Sequence, residues 1–426
     1  MIQMSTVSYL ADLLGTEAAE KRLRDLYGDR PAETDRQRGR YARLLQRYAD
    51  EFGPDDQVML ISAPGRTELC GNHTDHNNGL VMAAAVNLDT LAAVSARQDM
   101  QVNLHSEGFD PVRISLEDLA VRPEEAGKPA SIIRGIAAAM RDDGLKIGGF
   151  DAAVTSDVLT GSGLSSSAAF EVLIAAVLDA LYNGMRLDPI RRAEMSQYAE
   201  NVYFGKPSGL MDQMASSVGG LVAIDFQSRP LVTPLQMDLT GYSLVVVNTG
   251  GSHDDLTEDY AAVRREMNAV AACFGQKVLR EVPEDCFWAE LPRVRAAAGD
   301  RAVLRACHYY QENRRVGELI RAVQGQDMDS LKRILLESGR SSWMYLQNVY
   351  AAPAHQQLCV ALSLAEHLLC GQGAWRVHGG GFAGTTLNLV PLAAEKEFLS
   401  RMNAVFGEKA CFVLNVRREG AAVVFG

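Results

Sequence analysis

GSGLSSSAAFEVLIAAVLDALYNG, residues 161–184, is the stretch on which the architecture turns. A strand, GGFDAAVTSDV (148–158), leads into it. Glycines and serines, interrupted by Leu164, occupy 161–167. Ala168, Ala169, Val172, Leu173, Ala176, Val177, Ala180 and Leu181 then fall on one helical stripe. Glycine permits a tight turn with positive φ. The amides of such a loop and of the first helical turn point outward, and with the helix dipole they form a site suited to phosphate. Ser165, Ser166 and Ser167 add hydroxyls for phosphate oxygens or a Mg²⁺ ion. The same pattern fits a capped helix after an ordinary loop, and this stretch alone leaves both readings open. It is not a Walker loop, which needs Gly-Lys followed by Ser or Thr. Gly127-Lys128 and Gly205-Lys206 are both followed by Pro.

Working outward, residues 1–57 read as a helical extension packed on the main body. Tyr41, Leu44, Leu45, Tyr48 and Phe52 form one apolar helix face. VMLISAPG reads as a strand ending at Pro64-Gly65. Irregular alternation of strands and helices follows to the C-terminus. This predicts an α+β fold with one domain over 58–230 and a second over 231–426, divided at SRPLVTP.

Two further motifs are polar. APGRTELCGNHTDHNNG (63–79) reads as a loop after a strand, crowded with Arg66, Glu68, Asn72, His73, Asp75 and His76. Carboxylate, imidazole and amide groups together suit the hydroxyls of a sugar or polyol. Nothing elsewhere in the sequence completes a metal site around His73, Asp75 and His76. GKPSGLMDQMASSVGG (205–220) places Asp212 in a Gly- and Met-flanked loop, where it reads as a general base or a turn residue. HGGGFAGTT (378–386) matches G-x-G-x-x-G, but TTLNLV after it alternates like a strand. A dinucleotide fingerprint must open a helix, so this is a glycine turn between strands and a dehydrogenase is disfavoured.

Composition limits the partners. The chain has 426 residues and a formal net charge of -11. It gains no general attraction to nucleic acid or to an anionic membrane. Seven cysteines without a CxxC read as reduced thiols. The N-terminus has no basic start or unbroken apolar stretch, and a cytoplasmic protein is expected. The expected partners are small molecules, with the chain a monomer or weak homo-oligomer.

Taken together, the motifs resemble the GHMP kinase superfamily, and within it the galactokinases. GRTELCGNHTDHNNG is similar to the galactokinase signature, GSGLSSSAA to the superfamily phosphate loop, GLMDQM to the segment with the catalytic aspartate, and VHGGGFAGTT to the glycine-rich third motif. The resemblance implies a two-domain α+β fold with the active site in the cleft between the domains. It implies transfer of the γ-phosphoryl group of ATP to the 1-hydroxyl of galactose, with Mg²⁺. Asp212 would be the catalytic carboxylate, with Arg66 beside it. Asn72, His73, Asp75, Gly209 and Tyr260 would line the sugar pocket. Gly161, Ser162, Gly163, Leu164, Ser165, Ser166 and Ser167 would cradle ATP, and Ser167 and Glu200 would hold the metal. By their position after the strand end at Gly250-Gly251, apart from the resemblance, Ser252 and His253 would edge the site. Galactokinases usually carry Glu where this chain has Asn72 and Tyr where it has His76. An uncharged Asn72 would change how one sugar hydroxyl is read. Kinases of N-acetylgalactosamine or arabinose, and a non-catalytic sugar and ATP sensor, are the alternatives.

Overall fold

The computed structural model describes residues 4–426 apart from 55, 159–162, 207, 228–229 and 252–255. Its strands, in chain order, are β1 (Ser5–Thr6), β2 (Gln57–Cys70), β3 (Leu80–Ala96), β4 (Gln101–Ser106), β5 (Val112–Ser115), β6 (Phe150–Ser156), β7 (Leu221–Asp225), β8 (Leu231–Leu235), β9 (Tyr242–Asn248), β10 (Ala374–His378), β11 (Thr385–Pro391), β12 (Cys411–Leu414) and β13 (Ala422–Phe425). One sheet runs β1-β2-β3-β6-β4-β5, with β13 added to β2 and the β7-β8 pair to β3. The other runs β10-β11-β9-β12 and is antiparallel throughout.

β2 does not stop at Pro64-Gly65 as the sequence suggests. Its register with β3 shifts between Pro64 and Arg66 and again between Glu68 and Cys70. These irregularities let the strand pass the two breakers. A Cβ on Gly65 would lie 2.9 Å from the Leu164 carbonyl oxygen, so the phosphate-loop candidate can approach β2 closely. Arg66 and Glu68 therefore project from a strand rather than a loop.

The helix Ser166–Asn183 packs on β2 and β3. Its predicted stripe is buried, apart from Leu181 at the edge, and Ile174, Ala175 and Leu178 are buried too. By length and hydropathy this helix could cross a membrane, but two-thirds of it is covered inside the protein. Its apolarity is that of a core helix.

The extension forms helices Val7–Leu13, Glu17–Tyr27 and Pro31–Phe52. Tyr41, Leu44, Leu45 and Tyr48 pack against Leu60, Leu91 and Phe425, with Phe52 at the rim. A buried polar knot ties it down. Asp89, fully buried in the middle of β3, accepts from Arg40 at 2.5 Å, Tyr27 at 2.6 Å, Arg417 at 3.1 Å and Ser62.

The expected division near residue 230 falls inside the first sheet. β8 pairs with β7, and β13 returns from the far end of the chain to pair with β2. The second sheet begins only at β9. The return is favourable because β13 buries Val424 and Phe425 against the extension.

Candidate active site

Asp212 sits in the first turn of the helix Met211–Val218, not in the expected loop. Leu210 already has right-handed helical angles, and its carbonyl accepts from the Met214 amide. The carboxylate thus stands at the positive end of a helix. Arg66 meets it as a fork, Nε donating to Oδ1 at 2.7 Å and Nη2 to Oδ2 at 2.8 Å. Nη1 donates to the Gly163 carbonyl, joining the pair to the phosphate loop. Ser165 donates its hydroxyl to Asp212 Oδ2. Burial works against charge on Asp212, but Arg66, then the Ser165 hydroxyl, then the charge of Lys206 outweigh it. The carboxyl is held below its ordinary value.

Ser165 reaches Asp212 from the left-handed region, φ 58°. Its hydroxyl thus ties the start of the helix to Asp212. The helix opens at Ser166 with no side-chain cap. The amides of Ser166, Ser167 and Ala168 have no acceptor within the helix, which is the arrangement that binds an anion. Leu164 is buried, and its carbonyl accepts from the Arg66 amide. Gly163 has φ 74°, and a Cβ there would lie 2.8 Å from Thr385 Oγ1. Gly161, Ser162, Ser252 and His253 lie outside the described residues.

A cavity of about 160 Å³ opens in front of this pair, lined by Asp75, Ser167, Glu200, Lys206, Ser208, Gly209, Met211, Asp212 and Gln213. Glu200 is buried and accepts from Lys206 Nζ at 3.0 Å, from Gln213 Nε2 at 2.8 Å and from the Ser208 hydroxyl. Gln213 Nε2 also donates to Glu171, at 2.8 Å. Burial, then Glu200, pushes Glu171 up to about 8. Among the described residues no group of three or more His, Cys, Asp or Glu side chains could hold a metal ion by itself. The Ser167 hydroxyl and Glu200 nevertheless face one cavity, and Gln213 Oε1 is buried there without a hydrogen-bond partner. These hard oxygens fit Mg²⁺ once phosphate oxygens complete the set.

The sugar-motif residues divide. Asp75 and Gly209 form cavity wall together. A Cβ on Gly209 would lie 2.5 Å from Asp75 Oδ2, so a side chain there would displace the Asp75 carboxylate. His73, also left-handed at φ 57°, donates Nε2–H to the Gly380 carbonyl at 2.8 Å and lies 6.4 Å from the Tyr260 ring at 30°. Its Nδ1 is left as an acceptor. Burial, and next His76, push His73 down to about 4. Tyr260 donates to the Gly381 carbonyl at 2.9 Å. HGGGFAGTT is the strand, glycine turn and strand expected, and carbonyls of its turn receive the first motif. Asn72 lies deeper. It is 1% exposed and outside the cavity wall. Its Nδ2 donates to Gly379 O at 2.7 Å and towards Glu68 at 3.2 Å, and its Oδ1 accepts from Asn348 at 2.7 Å. Its hydrogen bonds join the first motif to the glycine turn and to Asn348.

Comparison with known proteins bears on the same elements. Residues 46–96 match the family model described as the galactokinase galactose-binding signature, and residues 131–220 match the GHMP kinases N terminal domain. The chain is 32% identical to the galactokinase of Homo sapiens over 393 residues, 90% of this chain and 96% of that protein. The chain belongs to the galactokinase family. The galactokinase of Streptomyces coelicolor is 32% identical over 358 residues, 82% of this chain and 88% of that one. A crystal structure of Lactococcus lactis galactokinase complexed with galactose superposes with a TM-score of 0.76 at 24% identity, over 89% of this chain and 98% of the other. The Methanococcus jannaschii mevalonate kinase shares the fold more distantly, with a TM-score of 0.61 at 14% identity, over 84% of this chain and 98% of that one.

The galactokinase signature rests on a support that sequence reading missed. From the helix Asp300–Gln324, His308 Nε2 donates to the Asn72 carbonyl at 2.9 Å, Tyr309 to the Asn77 carbonyl at 3.0 Å, and Glu312 accepts from the Gly71 amide at 3.1 Å. Asn313 accepts from the Leu80 amide at 2.8 Å. HYYQEN puts these groups on one side of a helix turn, but their partners are more than 230 residues away. Gln213 and Glu171 were also missed.

Proposed function

We infer that this galactokinase-family chain is an ATP-dependent galactose kinase, giving galactose 1-phosphate and ADP. The observation that carries this reading is the Arg66–Asp212 fork beside the uncapped helix start at Ser166. Phosphoryl transfer needs an oriented hydroxyl, an anion cradle and positive charge around the transferred group. Asp212, kept ionised by Arg66, accepts the hydrogen bond of the attacking hydroxyl and orients it. Its low proton affinity makes it a positioning acceptor more than a strong base. The amides of Ser166 to Ala168 take phosphate oxygens. Ser167, Glu200 and Gln213 would hold Mg²⁺, which supplies positive charge to the phosphates when bound. Asp75, and the Nδ1 acceptor of His73 behind it, supply the polar groups for the sugar ring.

The non-catalytic sensor loses support, because the catalytic pair and the helix-start cradle are assembled together. Seven free cysteines support a reducing, cytoplasmic location. The test is ADP release from ATP and Mg²⁺ with galactose, N-acetylgalactosamine, arabinose, glucose or no sugar. Galactose-dependent release is expected. Release with another sugar alone would overturn the substrate assignment.

A further inference from the structure

Lys206 stands in the GKPSG segment and has no part in the mechanism above. Its backbone is fixed. The Lys206 amide donates to the Glu200 carbonyl at 3.1 Å, closing the π-helical turn Ala199–Phe204. Its side chain is 60% exposed, yet its ammonium reaches back into the cavity to Glu200 Oε1 at 3.0 Å. The arm is therefore anchored at its root and tethered at its tip by one ion pair.

The charge around that tip is unbalanced. Of the residues lining the cavity, Asp75, Glu200 and Asp212 are acidic, and Lys206 is the one cation among those described. Arg66 is committed to Asp212 and Gly163 from behind. A triphosphate entering here adds more negative charge. If a divalent cation takes Glu200, the ammonium loses its partner while a terminal phosphate arrives on the same wall. A lysine on a flexible stem is suited to that exchange, because it binds as a compact point charge without a fixed fork.

We propose that Lys206 is a nucleotide-binding residue that exchanges partners. It neutralises Glu200 in the empty site and binds the terminal phosphate of ATP when Mg²⁺ occupies Glu200. Two features follow. Lys206 keeps Glu200 paired, so the empty cavity does not bury a lone carboxylate. It also makes nucleotide affinity depend on metal through a protein side chain, besides the direct metal–phosphate contact. The inference rests on the assignment of this cavity to phosphoryl transfer.

The test is a binding cycle with a non-hydrolysable ATP analogue carrying a β,γ-imido bridge. Dissociation constants are measured by titration calorimetry for wild type and Lys206→Met, each with Mg²⁺ and with EDTA. With Mg²⁺, Lys206→Met should bind about tenfold more weakly, one charge-assisted hydrogen bond. In EDTA the two proteins should differ less than about threefold, because Lys206 then stays on Glu200. Lys206→Arg should recover most of the Mg²⁺-dependent affinity. Equal losses with and without Mg²⁺ would overturn the exchange and leave a merely structural lysine. No loss with Mg²⁺ would overturn the phosphate contact. Wild type that turns over galactose yet shows no Lys206 effect refutes this proposal alone. Wild type that binds no nucleotide refutes the site assignment with it.

Discussion

Arg66→Lys isolates what the fork contributes. Arg66 makes three hydrogen bonds, two to Asp212 and one to the Gly163 carbonyl. Lysine keeps the charge but is a point donor on a shorter reach, and it can hold one of the three. At about 1.5 kcal/mol or more for each bond to a charged group, two lost bonds cost about 3 kcal/mol. If the loss falls on the transition state, kcat drops roughly a hundredfold. The KM for sugar should change little, because Arg66 is not part of the cavity wall. The pH profile gives a second readout. In the proposed reaction Asp212 acts in its ionised form, and Arg66 is the largest influence holding its proton affinity down. Weakening that pairing raises the Asp212 pKa, so the acid limb of kcat should move to higher pH. The assay is coupled ADP release with saturating galactose and ATP across pH 4–8, with the melting temperature recorded alongside. A folded Arg66→Lys enzyme with kcat within about threefold of wild type and an unmoved acid limb would refute the reasoning.

Three further variants probe the support of the site. Asn72→Glu replaces a buried donor with a carboxylate facing Glu68 and the Gly379 carbonyl, and should cost about 3–5 kcal/mol of stability. Thermal melting is the check, and an Asn72→Glu protein as stable as wild type would contradict the placement. His73 has its native pKa pushed down to about 4 from an ordinary 6.5. The unfolded chain then binds the proton first, and stability falls as pH drops from 7 to 5, by about 2 kcal/mol from this group. Urea unfolding at both pH values should show that slope flattened in His73→Gln, and an identical slope would count against it. Asp89→Ala strands Arg40 and Arg417 in the core. It should destabilise by about 3–5 kcal/mol and open residues 7–52 to protease, whereas an unchanged digestion pattern would show that the knot does not secure the extension.

The helix Ser166–Asn183 was legible because its stripe is continuous and its loop is Gly and Ser apart from Leu164. The polar motifs were legible as a set, because Arg66, His73, Asp75 and Asp212 are chemically conspicuous. What was not legible depended on pairings far apart in the chain. β13 joins β2 across about 360 residues, and no local pattern in AAVVFG names its partner. Pro64-Gly65 reads as a strand end because its rescue by register shifts depends on β3. Asp212 reads as a loop residue because the residue at the helix N-cap is Leu210, which supplies no side-chain cap, and the helix that follows is only eight residues long. The hydrogen bonds of Asn72 were not legible because its partners Gly379 and Asn348 come from elsewhere in the chain. Lys206 and Glu200 are six residues apart, off the usual helical spacing, and they meet at the end of a π-helical turn.

The measurement that bears most directly on the central claim compares Asp212→Asn with wild type, using galactose-dependent ADP release beside calorimetric binding of the imido ATP analogue. Asparagine keeps the shape and loses the charge. The account predicts turnover reduced by at least about a thousandfold, with analogue binding retained within a few-fold and the fold intact. Galactose-dependent turnover near the wild-type rate in a folded Asp212→Asn protein would contradict it.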